Sequence, residues 1–318
     1  MSVSGAFRDF QATVNASDEQ VADARERRDL FKAAFDAETD VDTVIASGSL
    51  RRGTQKDPIH DVDTIIVYCA DDHPDWGNPG TSAEDALNHT QGRVTALLGG
   101  NGSHEAGRVR YTRWRNHAVK CWLDPKDDPD AFTVDAMPAL RRDGALLVPE
   151  AVSKKWILCD PEYLIAEVAK KHKTWNKFAG SVRMLKAWAA EQQGVKIKSL
   201  VMEVLALDLM PLGKTQPVAI KEFFVKAAAH VEAGLPIEDP ADLCGPIQPD
   251  LDYTLFADRL RSAADDAGAA IAAQVNNNEA KAIKLWGDVF GSSFPCPPAS
   301  AGTETVAAPR TVKDNPQG

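Results

Sequence analysis

No apolar run in this chain of 318 residues is long enough to span a bilayer, and the first residues lack the apolar core of a signal peptide. Cysteine is scarce and scattered. The five (Cys69, Cys121, Cys159, Cys244 and Cys296) are odd in number and show no metal-ligand spacing. Four of them stand in apolar or strand-like surroundings, as small core residues of a reducing cytosol do. Positive charge is in deficit: 36 Lys and Arg against 46 Asp and Glu give a formal charge of −10. That argues against an extensive nucleic-acid-binding surface, which needs many cationic contacts to phosphate. No internal repeat is evident. A soluble cytoplasmic protein is expected. Apolar residues at 44% and charged residues at 26% are ordinary for a globular chain, and the length allows two domains.

The densest chemistry lies in residues 44–68, VIASGSLRRGTQKDPIHDVDTIIVY. A short apolar run enters a turn at Ser47, Gly48 and Ser49; a polar loop follows, and then a second strand from Asp61 to Tyr68. Strand side chains alternate, so Asp61 and Asp63 project to one face and Val62 to the other. Two adjacent carboxylates raise each other's pKa unless a cation sits between them. Carboxylate oxygens are the ligands Mg2+ prefers, usually shared with substrate phosphates. Gly48 allows a phosphate close to the backbone, and the Ser49 hydroxyl and amide can donate to it. The pattern reads as a nucleoside triphosphate site. An ordinary hairpin turn with a charge pair on an edge strand gives the same local string, so a third carboxylate is needed to separate the readings.

Residues 131–140, AFTVDAMPAL, supply it. Phe132, Val134 and Ala136 share one face of this strand; Thr133, Asp135 and Met137 share the other, and Pro138 is expected to end the pairing. Gly-Ser, a loop, then Asp-x-Asp heading an apolar strand resembles the signature of the polymerase-β-like nucleotidyltransferases. GSLRRGT and DVDTIIV are similar to the branch that holds the oligoadenylate synthetases, cyclic GMP-AMP synthase and the bacterial cyclic-oligonucleotide synthases (CD-NTases). VDAMPA matches the context of that family's third aspartate, and the resemblance covers most of residues 44–295. It implies Asp61, Asp63 and Asp135 as catalytic, metal-holding residues for two Mg2+ or Mn2+ ions, with NTPs as substrates. RMLKAW and KSLVMEVLAL look like the family's Lys-x-Trp helix and the serine-led helix after it. By that resemblance Lys186 and Ser199 contact the triphosphate opposite Gly48 and Ser49. A serine opening a helix is independently a good anion contact. His60 adjoins Asp61 but is read as a bystander.

The implied architecture is α+β: a polymerase-β-like nucleotidyltransferase sheet with helices, then a mainly helical domain like that of the oligoadenylate synthetases. Residues 1–37 read as helical, with a Ser17/Gln20 capping box and interleaved charges that make a solvated face. Ser82 is expected to cap a helix reaching Leu98. Residues 108–114 and 118–123 read as strands, and the chain is expected to leave the sheet around 146–159. Asp160-Pro161 opens the next helix. Helices are expected over 176–193, from 199 to 211, and over 218–233, 253–275 and 279–290. The Lys170, Lys171, Lys173 and Lys177 cluster reads as solvated. The expected domains are 1–155 (catalytic, with N-terminal helices also able to pack on the second domain) and 156–295 (helical). The tail, 296–318, is expected to be disordered.

The expected activity is template-free synthesis of a cyclic di- or trinucleotide second messenger, as in the antiphage signalling (CBASS) of the family it resembles. The competing readings are a linear oligonucleotide synthetase, a CCA-adding-like terminal transferase, a transferase that modifies a small molecule or protein, and a silent nucleotide-binding module. The acidic surface disfavours the RNA-dependent ones. Some CD-NTases have a C-terminal glycine joined to other molecules by a ubiquitin-transfer-like partner, and the resemblance extends that expectation to Gly318.

Overall fold

The computed structural model describes residues 1–100 and 108–295. Cys296, Gly318 and the expected disordered tail lie outside them.

The N-terminal region is two helices, α1 (Val3–Val14) and α2 (Asp18–Phe35), separated by the Ser17 cap. Ser17 Oγ accepts from the Gln20 amide and Gln20 returns a bond to the Ser17 amide, which completes the capping box. Three of the four basic residues of α2 pair with neighbouring acids: Arg27 with Asp23 and Asp124, Arg28 with Asp29, Lys32 with Asp36.

The chain then enters a mixed sheet of seven strands: β1 (Val41–Ser47), β2 (Asp61–Tyr68), β3 (Tyr111–Trp114), β4 (Val119–Trp122), β5 (Thr133–Arg142), β6 (Ala145–Glu150) and β7 (Lys155–Cys159). A one-turn helix, α3 (Gly48–Arg52), follows β1, and α4 (Ser82–Leu98) lies between β2 and β3. The order is β1-β2-β5-β4-β3, with β6 on β5 and β7 on β6. Strand β2 runs parallel to β5 and antiparallel to β1.

Three expectations need correction here. Pro138 does not end β5, which continues to Arg142. Strand β4 pairs only through Ala136 and β6 pairs from Leu140, so Pro138 sits where one edge of β5 is free and a missing N–H is tolerated. The chain does not leave the sheet near 146, because β6 and β7 keep it there to Cys159. Thr81, not Ser82, precedes α4 as its cap residue; the Ser82 hydroxyl donates to the Asn78 carbonyl and accepts from Trp156 Nε1.

From Asp160 onward the chain is helical: α5 (Pro161–Thr174), α6 (Phe178–Ala190), α7 (Ser199–Leu209), α8 (Gln216–Glu232), α9 (Tyr253–Val275) and α10 (Glu279–Phe290). Asp160 caps α5 by accepting from the Tyr163 amide, with Pro161 in the first turn. The Lys170–Lys177 cluster is largely exposed, and Lys170 pairs with Glu167 on its own helix.

Two large apolar cores result. One packs Phe31 and Phe35 of α2 and Leu87 and Val94 of α4 onto Val62, Ile66 and Val134 of the sheet. The other is built from α5–α10, and α1 belongs to it through Phe7 and Phe10. No helix among the described residues is long and apolar enough to cross a membrane.

Candidate active site

The parallel register of β2 and β5 sets Asp61 beside Thr133 and Asp63 beside Asp135. On the other side of β2, Ser47 pairs with Asp63, so the turn that follows β1 begins against that carboxylate. Gly48 takes φ +72°, and a Cβ built there would lie 1.8 Å from Asp63 Oδ2. Only glycine fits between the turn and the carboxylate. Ser49 follows, half-buried, in α3.

Packing the carboxylates together has an electrostatic cost. Burial, then the charges of Asp61 and Asp135, push the Asp63 carboxyl up to about 7. Burial also raises Asp135, with Asp61 adding to it and Lys120 and Arg115 opposing. Lys120 is the cross-strand neighbour of Asp135 on β4. Asp135 Oδ1 is buried and has no hydrogen-bond partner. The three groups share one end of the sheet without closing into one ligand cluster. Among the described residues, the only Asp/Glu/His/Cys group whose ligand atoms all lie within 4.8 Å is a different one.

Asp61 and Asp63 open onto a cavity of about 410 Å³, of the size that takes a small ligand, whereas Asp135 stands behind them and does not line it. Gly48, Ser49, Arg52, Asp61 and Asp63 line one side; Ser199 and Leu200, at the start of α7, line the other. Ser199 is exposed and is the first helical residue rather than the cap, which is Lys198. Cys159 and Cys244 also contribute to the wall. That corrects the reading of the cysteines as core residues: Cys121 is buried, Cys69 and Cys159 are half-buried, and Cys244 is exposed. Burial pushes the Cys159 thiol up to about 12, so it is a poor nucleophile. His60 turns toward Asp130.

Lys186 does not line the cavity. Its ammonium lies 2.6 Å from Glu203 and donates to the carbonyl and hydroxyl of Thr54. It is a buried ion-pair lysine, set beneath the cavity rather than in it. Glu203, fully buried on α7, also receives Arg52 Nε at 2.5 Å. Burial favours the protonated acid, but Lys186 and Arg52 outweigh it and hold the Glu203 carboxyl below the usual range. Arg52 therefore has its guanidinium anchored from behind while the residue faces the cavity beside Ser49. Sequence reasoning missed both Arg52 and Glu203. The available signal was a lone acid inside the apolar run VMEVLAL, which marks a buried partner rather than a surface charge.

Comparison with solved structures places this arrangement. The structure of E. coli MS115-1 CdnC with ATP is similar over 93% of this chain and 99% of that one, with a TM-score of 0.70 at 17% identity. Bradyrhizobium diazoefficiens CdnG with GTP matches over 90% and 98%, at 0.63 and 11%. Vibrio cholerae DncV, a cyclic AMP-GMP synthase and prokaryotic cGAS homolog, matches over 89% and 93%, at 0.59 and 13%. The chain has the CD-NTase fold. Within that fold the strands that carry Asp61, Asp63 and Asp135 are central, and the helical half closes over them. No protein-family model and no curated protein matches the sequence.

Proposed function

We propose that this CD-NTase-fold protein is a template-free nucleotidyltransferase that condenses NTPs into a cyclic di- or trinucleotide messenger, in the manner of antiphage signalling. The observation that carries the reading is the register of β2 and β5. It puts Asp135 beside Asp63, which with Asp61 forms the floor of a cavity roofed by Ser199. That CdnC and CdnG, of the same fold, were solved with ATP and GTP supports nucleoside triphosphates as the substrates.

The residues fit divalent metal. A carboxyl held near pH 7 by its neighbours and a buried carboxylate oxygen without a partner are both relieved by a cation. Asp61 and Asp63 would hold one Mg2+ or Mn2+ and, with Asp135, a second; bound there, the metal neutralises the triphosphate and lowers the pKa of the attacking hydroxyl.

The chain's own groups do the positioning. Gly48 lets the phosphates approach the backbone, and Ser49 donates to them. Arg52 presents a guanidinium fixed by Glu203, and Ser199 donates from the facing helix. Lys186 adds charge one layer back, through the Glu203 it shares with Arg52. Phosphoryl transfer needs little more from a protein than such placement and charge.

Incubating the purified protein with all four labelled NTPs and Mg2+ or Mn2+ tests the proposal. Phosphatase-resistant product is expected from wild type and none from Asp61→Asn/Asp63→Asn. A product that remains phosphatase-sensitive, or equal turnover by the folded double variant, overturns it.

A further inference from the structure

At the end of the sheet far from the aspartates, three side chains from separate elements converge. Asp40 precedes β1, His73 follows the short turn after β2, and His89 lies on α4. His89 Nε2 is 3.2 Å and His73 Nε2 3.4 Å from the same atom, Asp40 Oδ2. All three ligand atoms lie within 4.8 Å of one another. A tetrahedral ion with bonds of about 2.0–2.1 Å requires its ligand atoms roughly 3.3–3.4 Å apart. Two of the three edges are close to that length, and the third lies within 4.8 Å.

Other observations point to a ligand. His73 Nε2 is buried and makes no hydrogen bond, although it faces a carboxylate. The surrounding shell orients the donors. The Asp40 amide carbonyl accepts from the Cys69 amide at 2.9 Å, which fixes Asp40 against the end of β2. Arg93 engages the other carboxylate oxygen, Oδ1, and also pairs with Glu38. His73 stacks on Trp76 with ring centroids 3.9 Å apart, and Tyr68 meets both imidazoles edge-on. With the imidazoles neutral, Glu38, Asp40 and Arg93 leave the pocket one negative charge, which favours a dication.

We propose that Asp40, His73 and His89 form a second, non-catalytic metal site for a borderline divalent ion such as Zn2+, with water as the fourth ligand. Two imidazole nitrogens and one carboxylate oxygen are a donor set for zinc, whereas the all-oxygen set of the three aspartates suits Mg2+. The bound ion ties the start of β1, the exit of β2 and helix α4 together, so it acts as a staple for the catalytic sheet. The ordinary alternative is a hydrogen-bonded His–Asp–His network that needs no metal.

Calorimetric titration of the metal-stripped full chain with Zn2+, alongside thermal melts, separates the two. Wild type should bind one zinc that survives Asp61→Asn/Asp63→Asn/Asp135→Asn and raises the melting midpoint. Added to that triple variant, His73→Gln/His89→Gln should abolish both the binding and the shift. Zinc binding that persists in the folded combined variant, or is absent from the triple variant, overturns the proposal. If the combined variant fails to fold, the visible spectrum of Co2+ bound to the triple variant decides. An intense tetrahedral d–d spectrum supports the site, and a weak octahedral one overturns it.

Discussion

Gly48 is the residue on which the proposed site turns. Its positive φ and the 1.8 Å approach of a built Cβ to Asp63 Oδ2 leave no room for alanine. Gly48→Ala should displace either the turn or the carboxylate, and abolish product formation in a protein whose circular dichroism is still native. Asp63 makes a second prediction. Its folded pKa of about 7 stands well above the 3.8 of an unperturbed aspartate. The folded state therefore binds the proton more tightly, and that stabilisation is complete below pH 3.8 and lost as pH rises through 7. The loss is on the order of 4 kcal/mol. In EDTA, Asp63→Asn should raise the melting midpoint at pH 8 and flatten its fall between pH 5 and 8; an unchanged profile would contradict the assignment. Gly48, Ser49 and the aspartates were legible because their chemistry is local, carried by a dipeptide and two strands. Arg52 and Glu203 were not, because the partners are 151 residues apart. Asp40, His73 and His89 escaped for the same reason.

At the scale of elements, the contact between α3 and α7 joins the sheet to the helical half through ions. Arg52, Glu203 and Lys186 have side chains 9%, 0% and 3% exposed. Removing one charge from such a group strands the others, at about 3–5 kcal/mol. Glu203→Gln should therefore lower the melting midpoint and also raise the KM for NTP, since Arg52 loses its anchor. Ser199→Ala should raise KM without moving the midpoint. If Glu203→Gln changes stability alone, Arg52 has no part in substrate binding. The starts of α2 and α5 were readable because capping is local: Ser17 and Asp160 each accept from the amide three residues on. Strands β6 and β7 were hidden. Leu146, Leu147 and Val148 are all buried, so β6 shows a continuous apolar run instead of alternation, and periodicity cannot tell that from a buried helix.

At the scale of the molecule, α1 is separated from the sheet that it precedes in sequence and is packed into the helical core. Phe7 and Phe10 meet Trp286, Phe290 and Phe294 at centroid distances of 4.7–6.0 Å. The Val3 amide donates to Glu279, 276 residues away. Phe10→Ala should cost about 3–5 kcal/mol, measured as a lower denaturant midpoint. That loss should fall on the helical core, far from the aspartates, leaving the KM of the folded fraction unchanged. The α+β class and the helical second half were legible from cap and period. The allegiance of α1 was not, since its apolar stripe suits either core equally well.

The same seam sets a timetable for synthesis. A ribosome adding about 5–20 residues each second delivers α1 first and its aromatic partners roughly 15–60 s later. Through that interval Phe7 and Phe10 lack their aromatic mates, although α6 and α8 reach α1 earlier, and the sheet has already emerged and can close on α2. The helical core behind the roof that carries Ser199 is complete only when α10 arrives. A ribosome stalled before Glu279 would therefore display the sheet and its proposed site with the helical core still open.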